Sequence, residues 1–431
     1  MNAGNGDGST MLDAICEAIV DCEHKTAPTE QVGIPSVRTS NIKNGRIDFV
    51  NCNRVSEVTY REWTQRRKPS HGDLILGREA PVGEVGYIPE GMRACLGQRT
   101  VLIAPNRAVV EPRWLLYLLL TPALRHEMLS RAEGSTVSHL NMSDIRALEI
   151  PKLPPLNEQK AIAEILGALD DKIELNWRMN ETLEAMARAI FKSWFVDFDP
   201  VRAKLDGRQP PGMDADTAAL FPNHFEHVDG EPIPKGWSVV PLPEAVEVNP
   251  KRTLRKGDVV PYLDMKNMPT AGHRPDKWID REFKSGTKFV NGDTLLARIT
   301  PCLENGKTAF VDFLEDGQIG WGSTEYIILR PKLPLPVEFG YYLARNDELR
   351  LHAIQNMTGT SGRQRVPPSC FDQFPLAVPP AAIAERFGEV VRPLMQRITA
   401  NSEQSKSLAE TRDALLPKLL SGEIRVDIHH Q

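Results

Sequence analysis

Polar and basic side chains of the kind that bind phosphates and base edges are grouped in several loops of this 431-residue chain. In the first half these residues are Arg38, Thr39, Asn41, Lys43, Asn44, Arg78, Gln98, Arg99, Ser135, Thr136, Ser138, His139 and Asn141. In the second half they are Lys266, Asn267, Arg298, Thr360, Ser361, Arg363, Gln364 and Arg365. Such side chains donate most hydrogen bonds to nucleic acids. The loops are therefore candidate DNA contacts, although ordinary solvated turn chemistry explains any single residue equally well.

Arg78 and Arg298 stand at matching positions of an internal repeat. Residues 72–86 (GDLILGREAPVGEVG) align with residues 292–306 (GDTLLARITPCLENG) at an offset of 220. Ordered matches at offsets up to 226 also pair 35–42 with 261–268, 114–125 with 339–350 and 171–176 with 396–401. The series predicts a duplicated unit, whereas the alternative is two unrelated domains with similar turn chemistry. A structural ion pair would recur at Arg78 and Arg298 as readily as a DNA contact.

The globular part of each half is predicted to be α+β, with more strands than helices. Residues 260–265, 292–299 and 323–331 are short β-rich runs bounded by Gly, Pro and Asn. Apolar residues at helical spacing predict a helix at 112–130 and another at 337–355. The Pro- and Gly-rich, charged stretch 200–235 predicts a connecting loop.

A heptad pattern begins near residue 157 and recurs 225 residues later, which predicts two long helices. The seam of the first is Ile162, Leu166, Leu169, Ile173, Asn176, Asn180, Leu183, Ala187, Ile190 and Trp194. The seam of the second is Phe387, Val391, Leu394, Ile398, Asn401, Ser405, Leu408, Arg412, Leu415 and Leu419. An antiparallel coiled coil would join the two polar middles and form a rod of about 50 Å. The alternative is two amphipathic helices, each packed on its own domain.

Composition excludes several classes of protein. The net charge is −5, hydrophobic residues make up 41% and charged residues 25%, all of which are globular values. Runs of 18 apolar residues are absent, and the polar N-terminus does not resemble a signal peptide. Six scattered cysteines without a CxxC pair suit a reducing compartment, so we expect a cytoplasmic protein. The charge gives no bulk basicity, so DNA binding would depend on local features.

Catalytic signatures are missing from the sequence. GxxxxGK, HExxH and GxSxG do not occur, nor does an Asn-Pro-Pro-aromatic motif. His224 and His227 form an HxxH pair in the 200–235 stretch, which indicates a surface loop rather than a metal site. Asp276, Glu282 and Lys284 imitate the carboxylate–lysine pattern of nucleases, but the spacer is short and the first half has no counterpart. We therefore predict a non-catalytic chain with no metal of its own.

The sequence resembles the specificity subunit of type I restriction-modification systems from about residue 12 to residue 426. The resemblance is carried by PPLNEQKAIAEIL at 154–166, AIFKSWFVDFDPVRAK at 189–204, GWSVVPLPEAVEVNPK at 236–251 and LLPKLLSGEI at 415–424. It implies two target-recognition domains that each read one half of a bipartite double-stranded DNA site. The dissimilar loops of the two halves, where Arg38 matches Asp264, predict that this site is asymmetric. It also implies an antiparallel coiled coil that sets the spacing between the half-sites.

The same resemblance implies partners and a domain plan. Two modification subunits would use S-adenosylmethionine (SAM) to methylate adenine, and restriction subunits would add ATP- and Mg²⁺-dependent cleavage. This chain would bind none of these cofactors. The implied segments are domain 1 at 1–156, a spacer helix at 157–199, a linker at 200–235, domain 2 at 236–379, a second spacer helix at 380–424 and a tail at 425–431. The competing interpretations are a coiled-coil scaffold that does not bind DNA and a nuclease built on Asp276, Glu282 and Lys284.

Two departures from the family pattern lead to structural expectations. The second helix entrance, PPAAIAERFGEV at 379–390, lacks the NEQ of the first copy, so the two entrances are not expected to be fully equivalent. The first domain also lacks the Gly-Trp opening found at 236–237, which predicts a shortened N-terminal strand.

Overall fold

The computed structural model describes residues 8–133, 138–360 and 362–426 and divides into two units. Unit 1 consists of Met1–Ile173 and Ser407–Gln431, and unit 2 consists of Glu174–Lys406. Each unit combines a mixed helix-and-sheet part with segments of two 40-residue helices, Leu156–Phe195 and Ala381–Leu420. The predicted α+β class is therefore confirmed at the level of mixed helix and sheet.

Unit 1 is built on a four-stranded antiparallel sheet. Its strands lie in the order Cys16–Asp21, Thr100–Pro105, Leu74–Arg78 and Val82–Tyr87. A smaller sheet has the order Asn53–Val55, Ile34–Val37 and Cys95–Leu96, in which the last pair is parallel. Two-stranded pairs are formed by Thr10–Met11 with Glu149–Ile150 and by Ile42–Lys43 with Arg46–Ile47. The shorter helices are Glu57–Trp63, Pro112–Leu119, Pro122–Arg131 and Met142–Arg146.

Unit 2 has the same plan. Its four-stranded sheet has the order Val246–Val248, Tyr326–Pro331, Thr294–Ala297 and Thr308–Phe310. The second sheet has the order Ile279–Glu282, Val259–Leu263, Gly320–Gly322 and Thr287–Phe289, and its middle pair is parallel. The two-stranded pairs are Ser238–Pro241 with Pro375–Val378 and Phe225–Val228 with Glu231–Pro234. The shorter helices are Asp199–Leu205, Ala215–Leu220, Leu242–Ala245, Val337–Arg345 and Asp347–Gln355.

The two units repeat local hydrogen bonds as well as strand order. Asp73 and Asp293 are both buried and each accepts a backbone N–H three residues upstream, from Ser70 and from Val290. After the next strand, the carbonyl of Arg78 accepts the N–H of Leu140, and that of Arg298 accepts the N–H of Val366. Unrelated domains would not be expected to share these details, so the structure supports a duplicated unit.

Each unit buries part of the long helices in its core. In unit 1, Ile162, Leu166 and Leu419 belong to the same apolar cluster as Trp114 of the helix Pro112–Leu119. In unit 2 the core is rich in aromatic rings. The ring centroids of Phe195 and Phe387 lie 4.9 Å apart, and the two rings are nearly perpendicular, an arrangement that aromatic pairs prefer. The aromatic residues of the segment FKSWFVDF therefore pack in the core of unit 2.

The helices predicted at 112–130 and 337–355 are each two helices, so that prediction is wrong in detail. Thr121 caps the second helix of unit 1 through its side chain, and Pro122 occupies the first helical turn. In unit 2, Asn346 separates the pair and its Oδ1 accepts the N–H of Glu348 at 2.6 Å. Such caps satisfy backbone N–H groups that a new helix leaves unpaired, so they end one helix and begin another.

Residues 200–235 are not simply the connecting loop predicted from composition. They contain two short helices and a hairpin, and Val201 and Phe221 lie in the unit 2 core. The Pro- and Gly-rich composition indicated turns correctly, but these buried side chains hold the turns against the core.

Both departures from the family pattern have structural consequences. The N-terminal strand of the first domain is Thr10–Met11, two residues long, whereas its counterpart Ser238–Pro241 has four. Gln159 is buried at the first helix entrance, where it accepts the N–H of Glu111 and donates to the carbonyls of Val109 and Pro154. The matching residue of the second helix is Ala384, which has no polar side chain. The expected difference between the two entrances is present.

Candidate nucleic-acid interface

A cleft lies at the same place in each unit, beside the end of the strand that carries the repeated arginine. The unit 2 cleft is lined by Asn249, Pro250, Lys251, Arg252, Thr253, Gly286, Thr287, Lys288, Arg298, Thr324, Tyr326 and Ile328. The unit 1 cleft is lined by Cys22, His24, Arg78, Glu79, Gln98 and Arg99. Their volumes are about 520 Å³ and 220 Å³. The repeat thus places Arg78 and Arg298, which the sequence singled out, at equivalent concave sites.

The unit 2 cleft carries positive charge that its lining does not neutralise. None of the described residues that line it is acidic. Arg252 is the exception among its four cations, because it binds the fully buried carboxylate of Asp293 at 2.9 and 3.1 Å. That carboxylate is shared with Arg330, whose Nη1 lies 2.8 Å away. The one negative charge of Asp293 is therefore shared by two positively charged guanidinium groups. Lys251, Lys288 and Arg298 add further positive charge to the cleft.

Arg298 has no hydrogen-bond acceptor for its side chain among the described residues, and its Nε is buried without a partner. Its backbone is fixed, because its N–H donates to the carbonyl of Glu325 at 3.0 Å. The carboxylate of Glu325 is engaged by Arg365, at 2.8 Å. Arg298 thus presents a guanidinium group whose N–H donors have no acceptor among the described residues.

The unit 1 cleft is close to electrically neutral. Arg78 forms an ion pair with Asp21 at 2.7 Å, and both side chains are largely buried. Arg99 lies 3.4 Å from the carboxylate of Glu79. The structural ion pair that the sequence left open as an alternative is therefore present at Arg78, while the described residues provide none for Arg298.

Neutral polar groups complete the lining of the unit 2 cleft. Asn249 adopts a positive φ of 55° and its Oδ1 accepts the N–H of Ile328 at 2.9 Å, which fixes the start of the basic loop. Burial raises the pKa of the Tyr326 phenol, and the hydroxyl donates to the carbonyl of Leu263 at 3.1 Å. Tyr326 is therefore a neutral part of the wall, held by the protein itself.

The first cluster of predicted DNA contacts is divided between structural and exposed residues. Thr39 and Asn41 are buried, and their side chains donate to the carbonyls of Ala80 and Asn51. Arg38, Lys43 and Asn44 are exposed, and Asn44 has a positive φ of 48°. The structure therefore gives Thr39 and Asn41 an internal role in shaping the loop that presents the exposed side chains.

The loop before the first long helix is described only in part. Ser135 and Thr136 lie outside the described residues, whereas Ser138 is exposed. Glu133 and His139 exchange backbone hydrogen bonds, at 2.9 and 2.7 Å, which closes the loop. Asn141 precedes the helix Met142–Arg146 and its amide lies 3.4 Å from Glu133.

The corresponding loop of unit 2 is closed by the same kind of pair, between Thr358 and Arg365. Thr360 and Arg363 are exposed, Gln364 is half-buried, and Ser361 lies outside the described residues. The carbonyl of Gln364 accepts the N–H of Thr300, next to the cleft. The remaining predicted contacts of this unit, Lys266 and Asn267, lie on the short 3-10 helix Met265–Asn267, where Lys266 is exposed.

Sequence reasoning missed Lys251 and Lys288. Lys251 follows the strand Val246–Val248 and lies in the loop NPKR, which directly follows a β-rich run. Lys288 stands in the middle of the strand Thr287–Phe289, with its Nζ 5.1 Å from the ring centroid of Phe283. The basic pair at 251–252 was visible in the sequence, but only the strand pairing reveals that Lys288 faces the same cleft.

The polar middles of the two long helices are hydrogen-bonded to each other in unit 2. The Asn176 amide donates to the carbonyl of Asn401 and to Ser405, at 3.3 and 3.2 Å. The Asn180 amide donates to Ser402 at 3.2 Å. A higher residue number on the first helix pairs with a lower residue number on the second, so the two helices run antiparallel in unit 2. The seam residues named from the sequence are all buried or half-buried.

In unit 1 the polar seam residue Arg412 has a charged partner. Its guanidinium donates to Asp170 at 2.6 Å, and the same carboxylate accepts the hydroxyl of Tyr117 at 2.7 Å. Arg46 donates to the carbonyl of Asp170, also at 2.7 Å. One residue of the first helix thus anchors both the second helix and the globular part of unit 1.

The residues of the alternative catalytic interpretations do not form a site. Asp276, Glu282 and Lys284 are exposed, and no hydrogen bond or ion pair of the described residues joins any two of them. His224 directly precedes the hairpin strand Phe225–Val228, and His227 lies within it. Groups of three or more potential metal ligands are absent from the described residues. Within the described part of the chain, helices long and apolar enough to cross a membrane are likewise absent.

Two mixed helix-and-sheet units with the same strand order in their main sheets, each with a polar or basic cleft, together with two long helices, define a class of protein with two similar clefts. Residues 23–185 match the family model of the type I restriction modification DNA specificity domain. The comparisons confirm the resemblance found in the sequence: the chain is related along nearly its whole length to the specificity subunits of type I restriction-modification systems.

Similar proteins extend the match beyond the family model. The chain is 25% identical to the type I restriction enzyme HindI specificity subunit of Haemophilus influenzae, over 90% of this chain and 94% of that one. It is 26% identical to the MjaIX specificity subunit of Methanocaldococcus jannaschii, over 91% of this chain and 87% of that one. The crystal structure of a type I S subunit from M. genitalium has the same fold, with a TM-score of 0.51, 16% identity and coverage of 97% and 98%.

Proposed function

We propose that this chain is the DNA sequence-recognition subunit of a type I restriction-modification complex. Each recognition domain reads one half of a bipartite, asymmetric site in double-stranded DNA. The observation that carries the proposal is the repeated cleft, because the same fold places a polar concave surface with an arginine at the same strand end in both copies. Relatives over nearly the whole chain are specificity subunits, which supports the same role.

The proposed division of labour follows the implied domain plan. Residues 1–156 and 236–379 are the two recognition domains, 200–235 link them, and 425–431 form a tail. The helical segments 157–199 and 380–424 pair as one antiparallel coiled coil that sets the distance between the half-sites and docks two modification subunits. The hydrogen bonds of Asn176 and Asn180 to the second helix support this pairing. A seam that is apolar apart from its Asn/Ser middle and Arg412 supports it as well.

The proposed partners supply the chemistry. Modification subunits with SAM methylate adenine, and restriction subunits with ATP and Mg²⁺ cleave unmodified DNA in the prokaryotic cytoplasm. This chain contributes recognition and spacing, with no catalytic residue and no bound cofactor. The exposed and unconnected positions of Asp276, Glu282 and Lys284 support this division.

Methylome sequencing of a strain with and without the gene tests the function. We expect a split, adenine-methylated motif that disappears on deletion and returns with the intact gene. An unchanged methylome in a strain with an active system would overturn the proposal. The alternative is a protein scaffold that does not bind DNA. A salt-sensitive change in the gel mobility of duplex DNA on addition of the assembled complex would reject that alternative.

A further inference from the structure

The two clefts differ in charge although they occupy equivalent places. In unit 1 the arginine at the strand end is paired with Asp21 at 2.7 Å. In unit 2 the equivalent Arg298 has no side-chain partner among the described residues. The fold alone cannot explain the difference, since Arg78 ends and Arg298 directly follows the equivalent strand of the same sheet order. The difference therefore comes from the neighbouring side chains of each cleft.

The unit 2 cleft is arranged to keep its positive charge. The carboxylate of Glu325, whose backbone carbonyl accepts the N–H of Arg298, is bound by Arg365 through a two-point contact at 2.8 and 3.0 Å. Asp293 is shared by Arg252 and Arg330. Both of these carboxylates are thus already bound by arginines other than Arg298.

The shape of the cleft suits a group that reaches in from the surface. Its volume of about 520 Å³ is more than twice that of its unit 1 counterpart. Its rim combines exposed Lys251 with half-buried Lys288, and the hydroxyl of Thr324 adds a neutral donor, whereas that of Thr287 donates to the carbonyl of Tyr326. Cations and hydroxyls around one concave surface form a donor set for an oxyanion, and a guanidinium group binds phosphate through paired N–H groups.

We propose that the unit 2 cleft binds a backbone phosphate of the DNA, with Arg298 as the principal contact and Lys251 and Lys288 as supporting charges. The unit 1 cleft does not make the equivalent contact, because Arg78 is neutralised by Asp21. The second recognition domain therefore contributes more of the salt-dependent affinity than the first. This inference rests on the proposed DNA-binding function.

The test compares matched variants, Arg298→Gln and Arg78→Gln, in the full chain assembled with its modification subunits. Affinity is measured for a duplex that carries the methylated motif and for an unrelated duplex, over a range of NaCl concentrations. A lost phosphate contact lowers the slope of log affinity against log salt by about 0.9. We expect that decrease for Arg298→Gln, with equal loss on both duplexes, and an unchanged slope for Arg78→Gln.

Two further variants make the result specific. Arg298→Lys keeps the charge and is expected to keep the slope, whereas the double variant Lys251→Gln/Lys288→Gln is expected to lower it. Melting temperatures show whether each complex is folded, and Arg298→Gln should melt as the parent does because its side chain has no described partner. The double variant tests the same cleft if Arg298→Gln fails to assemble.

The possible failures are distinguishable. If the unaltered complex binds no DNA, the proposed function is wrong. If it binds DNA but Arg298→Gln and the lysine variant keep the parental slope, the phosphate site is wrong. A variant that keeps the slope but loses preference for the motif would make Arg298 a base-reading residue, which also overturns the proposal. An equal decrease of slope in Arg78→Gln would overturn the difference between the two clefts.

Discussion

The side-chain amide of Asn401 donates a hydrogen bond of 2.9 Å to the Oδ1 of Asn180, on the other long helix. Asn401 is buried, so this acceptor replaces water that the amide would otherwise bind. Around it, the Asn180 amide donates to Ser402 and the Asn176 amide donates to Ser405. A one-residue slip of either helix would break this set of bonds, which therefore selects one register in unit 2.

Removing only one partner of the Asn180–Asn401 bond should destabilise unit 2. Asn180→Leu leaves the buried Asn401 amide without its acceptor, which we expect to cost about 1–3 kcal/mol of unfolding free energy. Replacing both residues with Leu removes the unsatisfied group and should recover most of that loss. Urea unfolding of the two single variants and the double variant measures the coupling between them.

The control for that cycle is Arg178→Ala, which breaks an exposed pair with Glu174 on the same helix. Its expected effect is within about 0.5 kcal/mol, because exposed pairs contribute little. Additive effects of Asn180→Leu and Asn401→Leu would contradict the proposed coupling. Replacing both Asn176 and Asn180 with Leu should also loosen register, so engineered cysteine crosslinks should form in more than one register.

The side chain of Gln159 should stabilise the first helix entrance, whereas the second entrance, with Ala384 at the matching position, does not use such a side chain. Gln159→Ala removes the acceptor of the Glu111 N–H and the donor to the carbonyls of Val109 and Pro154. We expect a loss of about 1–3 kcal/mol, since these backbone groups lie against a buried side chain. Thermal unfolding measures it, with the exposed Asn157→Ala as the matched control. A loss no larger than that of Asn157→Ala would show that the bonds contribute little.

The sequence predicted the repeated architecture well because each feature of a duplicated unit occurs twice in the chain. Offsets between 220 and 226 aligned the arginines, the turns and the helices, and the helix starts after Pro155 and Pro380 follow from proline's restriction of the residue before it. The shortened first strand and the unequal helix entrances were also predicted correctly. Each of these features was visible as a difference or a match between the two copies of the sequence.

Other features depend on contacts that no local pattern records. The neutralisation of Arg78 comes from Asp21, which is 57 positions away. Lys288 belongs to the cleft only because its strand pairs with Gly320–Gly322 beside the wall that carries Arg298. Thr39 and Asn41, predicted as DNA contacts, face inward for the same kind of reason.

The stability of unit 2 should contain an acid-sensitive contribution from Asp214. Hydrogen bonds from the backbone and hydroxyl of Thr217, followed by Arg386, lower the pKa of Asp214 from 3.8 to about 2. Because the folded pKa lies below the unfolded value, the contribution is complete above pH 3.8 and is lost as the pH falls through about 2.

The test compares the parent with Asp214→Ala and Asp214→Asn by urea unfolding between neutral and acid pH. Asp214→Ala should be less stable than the parent at neutral pH, and the difference should shrink as the pH approaches 2. Asp214→Asn keeps an acceptor for the Thr217 N–H and should fall between the two. A difference between parent and Asp214→Ala that stays constant with pH would show that the carboxylate charge is unimportant.

The length of the proposed coiled coil should set the gap in the DNA site. Deleting seven matched residues from each long helix shortens the rod by about 10.5 Å, equivalent to roughly three base pairs. A methylome of a strain that carries this variant should show both half-sites unchanged and a gap shorter by about three base pairs. An active deletion that kept the original gap would show that another element sets the spacing.

The most direct test of the central proposal is to exchange one recognition domain. Residues 236–379 are replaced by the corresponding segment of a specificity subunit with a different motif, and the methylome of the resulting strain is sequenced. If each domain reads one half-site, one half of the methylated motif should change, while the other half and the gap remain. A motif that changed in both halves, or in neither, would contradict independent recognition by the two domains.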